Sequence, residues 1–240
     1  MEFLFLGGLT SIVPIGLLVL VVLVLAGGRG EVDPTGRRTF ALYVSTVSFV
    51  AIFTALVAAV AIVGQVTDSF VDEDEVEPSM FFDDDVFLEE DFDGEEDFFS
   101  FEDVEEDETD RIVRTSVQAA LIGGAAGIVL AFHLRRRSEL TAEPGFGTSA
   151  AWRVDRAFLF AVCFTAVLLV LFGGGTGAYG LFRILAPGIT GSGDDTLERQ
   201  EGLAQLLTLG FLAATSFGIF RLAWQGTREE EPVGSPPGGE

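Results

Sequence analysis

A single histidine, a single cysteine and one dense run of carboxylates are the groups in this 240-residue chain that could do chemistry. His133 stands alone, so a two-histidine haem site or a His/His/acid metal site cannot be built within the chain. It sits beside Arg135, Arg136 and Arg137 at the end of an apolar run, and reads as an interfacial anchor before it reads as a proton relay. Cys163 lies inside another apolar run and reads as a small packing residue. Lysine is absent, so no Gly-Lys-Ser/Thr phosphate loop exists, and no serine stands at nucleophile spacing from the histidine. These features argue against an enzyme acting alone, and they call for no cofactor.

The carboxylates are concentrated. Asp68 to Asp110 holds 23 of the 37 acids and no base, so the formal charge of −23 belongs to one segment. Within it Glu89, Asp91, Asp93 and Gly94 occupy positions one, three, five and six of a calcium loop. Position twelve is Ser100, where a bidentate Glu is required, so the segment is not an EF-hand. What remains at Glu89, Asp91 and Asp93 is a weak divalent-cation contact. Eight Phe residues between Phe70 and Phe101 are unusual for a merely solvated tether, and suggest short amphipathic turns against a bilayer or a partner. The negative sign excludes nucleic-acid binding at this segment.

These groups hang on five uncharged apolar stretches: Phe3 to Ala26, Thr39 to Thr67, Thr115 to Leu134, Ala157 to Phe182 and Gly202 to Phe220. Each has about the ~20 residues that cross a hydrocarbon core as a helix. The expected fold is therefore all-α, a polytopic bundle of five spans. Residues 1–38 hold the first span and a short cytoplasmic loop, and residues 39–67 the second span. Residues 68–110 form an acidic, Phe-containing outer loop, largely disordered. Residues 111–137 hold the third span, 138–156 a cytoplasmic loop, 157–224 spans four and five, and 225–240 a disordered tail. No charge lies centrally in any span, and Arg183 at the end of the fourth is expected to snorkel. Gly123 with Gly127, and Gly173 with Gly177, stand at the spacing that lets helix backbones approach. Pro14 predicts a bend near Thr10 in the first span.

Arginine sorting sets the orientation. Ten Arg fall in the segments after spans one, three and five, and four fall on the other side. The richer side is expected to be cytoplasmic, which places the N-terminus outside, the C-terminus inside and the acidic loop outside the plasma membrane. Arg135 to Arg137 then serve topology and anionic headgroups.

A shift of 115 residues lays Arg38 on Arg153, Tyr43 on Phe158, Val47-Ser48-Phe49 on Val162-Cys163-Phe164, Ala51 on Ala166 and Leu56 on Leu171. A shift of 91 lays Gly127-Ile128 on Gly218-Ile219 and His133 on Trp224. The chain thus reads as one extra helix followed by two parallel-repeat hairpins. Leu42-Tyr43-Val44 with Val47-Ser48-Phe49-Val50-Ala51, the matching Phe158 to Ala166 stretch, and the Phe132-His133-Leu134-Arg135 and Arg221-Leu222-Ala223-Trp224 endings carry a resemblance. They resemble a widespread family of bacterial polytopic membrane proteins, a domain of unknown function built from repeated helix pairs. The all-Arg, Asp-Pro-Thr-Gly-Arg-Arg opening is similar to its actinobacterial members. The resemblance covers Arg38 to Gln65, Arg111 to Arg135 and Arg153 to Trp224, and implies fold and membrane location only. Its pattern has no counterpart of the acidic loop, and the first His-Trp-Arg-like ending lacks the Trp while the second lacks the His.

The expected function is a noncatalytic membrane scaffold or accessory protein whose acidic loop meets a cationic protein or divalent cations. The alternative is a small transporter or channel with the acidic loop concentrating cations at its mouth. Either way the segment 68–110 should be extended at low salt, because its carboxylates repel one another over a screening length of ~10 Å at ~0.1 M. Small-angle scattering of that segment under calcium and sodium titrations checks this. Compaction by divalent cations or high salt is the expected result, by both at matched ionic strength for simple screening and by calcium at far lower ionic strength for a binding role; a segment compact in low salt and indifferent to both ions would refute it.

Overall fold

Gly36, with φ 67°, starts the second helix from a left-handed conformation that glycine adopts without strain. Ser149 starts the fourth, its hydroxyl oxygen accepting from the Trp152 amide at 3.3 Å. That helix stops where Pro187 cannot continue it, and Gly188 follows with φ 84°. The computed structural model describes residues 2–27, 36–69, 108–143, 145–188 and 195–228. They form α1 (Glu2–Gly27), α2 (Arg37–Asp68), α3 (Glu108–Thr141), a short 3-10 turn (Phe146–Thr148), α4 (Ala150–Leu185) and α5 (Asp195–Arg228). The described residues contain no strand.

Four of these helices, α2 to α5, are long and apolar enough to cross a membrane. In α1 the apolar segment counted among the described residues is Ser11–Ala26. Pro14 sits inside α1 without ending it, and α4 runs unbroken through Gly173-Gly174-Gly175. The connections are shorter than the sequence suggested. α3 continues to Thr141 and α4 already begins at Ala150, so most of the expected 138–156 loop is helix. Likewise Gln225–Arg228, expected in the tail, belongs to α5.

The helices pair with their chain neighbours, α2 with α3 and α4 with α5, and α4 also packs on α1 and α2. Over half of the apolar window of α4 is buried (56%), against 6% for α3. The core is built on α4, with Phe49, Phe53, Leu20, Leu169 and Leu212 fully buried around it. The Phe49 and Phe53 rings lie 4.7 Å apart and tilted, a favourable aromatic geometry.

Close backbone approach explains the tightest contacts. A methyl group on Gly173 would stand 2.8 Å from the Leu209 carbonyl oxygen, and one on Gly180 would stand 2.7 Å from that of Gly202. Gly16 does the same for α1, where a methyl would run into Thr165 and Phe49. The pair expected on α3 divides. Gly123 faces Ala58, at 3.0 Å from a built methyl, but nothing lies within 4 Å of Gly127.

The residues matched in the repeat differ in their surroundings. Phe49 is fully buried and Phe164 is 42% exposed, while Leu56 is buried and Leu171 faces outward. Ser48 and Cys163, and Ala51 and Ala166, are buried in both copies. The difference follows from position, since α4 is enclosed on more sides than α2.

The glycine seam predicts a sharp contrast. Gly180→Ala should cost ~1–3 kcal/mol through overpacking against Gly202. Gly124→Ala, where a methyl meets nothing within 4 Å, should stabilise by up to ~1 kcal/mol. Unfolding by denaturing detergent in mixed micelles measures both; equal effects would refute the seam.

Candidate functional site: charged pairs at the two ends of the bundle

Charge has been moved to the ends of the helices, and each end carries an ion pair with one buried member, Asp155 at one and Arg183 at the other. At one end Arg137, near the end of α3, meets Asp155, on the first turns of α4. Nε and Nη2 of the arginine donate to Oδ1 and Oδ2 at 2.5 and 2.9 Å, a bidentate geometry. The Asp155 side chain is 5% exposed and that of Arg137 22%, and the guanidinium also lies over the Phe158 ring. Three further links gather helix ends here. Arg38 donates to the Val24 carbonyl at 3.1 Å, Arg156 donates to the Thr227 carbonyl at 2.7 Å, and Arg37 pairs with Glu143 at 3.1 Å. Arg135 and Arg136 both pair with Glu139. Arg37, Arg38, Arg135, Arg136, Arg137 and Arg156 therefore share this end. Their expected role toward headgroups is narrowed, because Arg137 is committed to Asp155 and Glu139 shares the other two.

His133 also belongs to this end. It is 7% exposed, packed between α3 and α2 rather than standing at a surface. Its Nδ1 donates to the Val129 carbonyl at 2.8 Å, which leaves Nε2 to accept from the Tyr43 hydroxyl at 3.4 Å. One ring nitrogen is thus held within α3 and the other reaches across to α2.

The opposite end carries the entry to the acidic segment. Arg183, expected to snorkel, is instead 5% exposed, and its Nη2 donates to Glu201 of α5. Its Nε and Nη1 have no hydrogen-bond partner. Glu198, one turn earlier on α5, is 1% exposed and accepts from the Gly188 amide. That contact ties the end of α4 to α5. Gln205 donates to the Thr176 carbonyl at 3.2 Å while its Oε1 is buried without a partner. Ser116 donates to Gln65, and the hydroxyls of Thr67 and Thr208 meet at 2.8 Å. α2, α3, α4 and α5 are all joined at this level.

Between the two ends the polar groups are few and separate. Thr165 donates to the Ala161 carbonyl within its own helix at 2.9 Å. Ser48 and Ser216 are fully buried with hydroxyls that have no partner. Arg183 and Asp155 stand 28 residues apart on α4, about 42 Å of helix. That length matches the ~40–45 Å of a bilayer with its headgroups.

Glu89, Asp91 and Asp93 lie outside the described residues, as does the rest of the near-calcium loop. Among the described residues no three His, Cys, Asp or Glu side chains come together as a metal set. Cys163 is free and buried. The residues that sequence reasoning missed are Asp155, Glu198 and Glu201. Arg137 with Asp155 and Arg183 with Glu201 are each 18 residues apart across a helix hairpin, a signal present in the sequence. No family model, curated protein or solved structure matches the chain.

The Arg137–Asp155 pair yields a double-mutant test. Arg137→Leu alone leaves a buried carboxylate uncompensated and should cost ~3–5 kcal/mol, whereas Arg137→Leu with Asp155→Leu should recover most of it. Denaturation of the three variants in detergent micelles checks this. A double variant as weak as the single would show that the charges do not act as a pair.

Proposed function

We propose that this chain is a noncatalytic scaffold or accessory protein of the cell membrane. It crosses the membrane five times, α1 included, with the N-terminus outside and the arginine-rich end cytoplasmic. The acidic segment 68–110 then faces outward and meets a cationic protein or divalent cations. The observation that carries this reading is the core. Phe49, Phe53, Leu169 and Leu212 fill the middle of the bundle, and the hydroxyls at that depth do not connect one end to the other. Ten Arg against four supports the orientation. The two helix pairs, each packed internally, are compatible with a parallel repeat and with the resemblance to repeated-hairpin membrane proteins.

One observation favours the second reading, a small transporter or channel. Arg183 is buried with two unpartnered nitrogens, Glu198 is fully buried one turn from its partner Glu201, and intramembrane ionisable groups mark transport paths by default. Their position near the helix ends, away from the centre of the spans, weighs toward a clasp between α4 and α5.

Two measurements separate the readings. Proteoliposomes should show no cation flux above protein-free vesicles, and crosslinking should recover partners that are lost when residues 70–107 are deleted. Flux that depends on Arg183 and Glu198 would overturn the scaffold reading. Orientation is tested by labelling Ser100→Cys in a Cys163→Ala background. An impermeant thiol reagent should modify it in intact cells, and protection would reverse the topology.

A further inference from the structure

We draw no further inference here: the strongest candidate, the buried Arg183 side chain at the α4–α5 seam with its Nε and Nη1 unpartnered, belongs to the ion pair with Glu201 already described, and nothing among the described residues shows what would meet those two enclosed nitrogens.

Discussion

The contact on which the bundle depends is the backbone approach of α4 and α5 along Gly173, Gly177, Gly180 and Gly202. In hydrocarbon, burial between helices gains nothing over burial in lipid tails, so association needs close packing or hydrogen bonds. Glycines supply the first, at a helix-propensity cost of ~1 kcal/mol each that packing must offset. With α4 and α5 so close, the α4 face toward α1 and α2 is left to the large side chains. Phe49 and Phe53 fill it, and Gly16 lets α1 settle over Phe49 and Thr165. The core is thus two kinds of packing, backbone against backbone on one side of α4 and aromatic rings on the other.

The same seam fixes the charges. Gly180 and Gly202 in contact bring Arg183 and Glu201 to the same level, and Arg183 cannot extend past α5 to the interface. At the other end the short α3–α4 connection does the equivalent for Arg137 and Asp155. The pairs are clasps across hairpins. Burying Asp155 costs solvation, which the bidentate geometry of Arg137 lessens, while Glu201 stays partly exposed against the buried Arg183. What the pairs add is registry, since sliding α4 by one turn would separate both at once.

Much of this was legible in the sequence, because hydropathy and arginine placement act through the bilayer and need no tertiary context. The helices, their neighbour pairing and the common end of the arginines follow from that. So does Gly173 with Gly177, whose spacing is a backbone property. The failures are tertiary. Gly127 has the right spacing, yet α3 is open on that side. Phe164 aligns with Phe49, yet the two helices are enclosed differently. Arg183 and Arg137 were read one at a time, as a snorkelling side chain and as a headgroup contact, and their partners lie on a neighbouring helix. The residues that drew attention first, Glu89, Asp91 and Asp93, lie outside the described residues, so the acidic segment enters the account through its sequence alone.

The central claim is that this is a closed bundle whose middle holds no water-filled path. Hydrogen–deuterium exchange of the intact protein in nanodiscs tests it most directly. Amides of Phe158 to Phe172 in α4 and of Leu209 to Phe220 in α5 should remain unexchanged for hours, with exchange confined to the ends near Arg183, Glu198 and Asp155. Rapid exchange at Leu169 or Leu212, in the centre of the core, would mean that water reaches the middle of the membrane and would contradict the account.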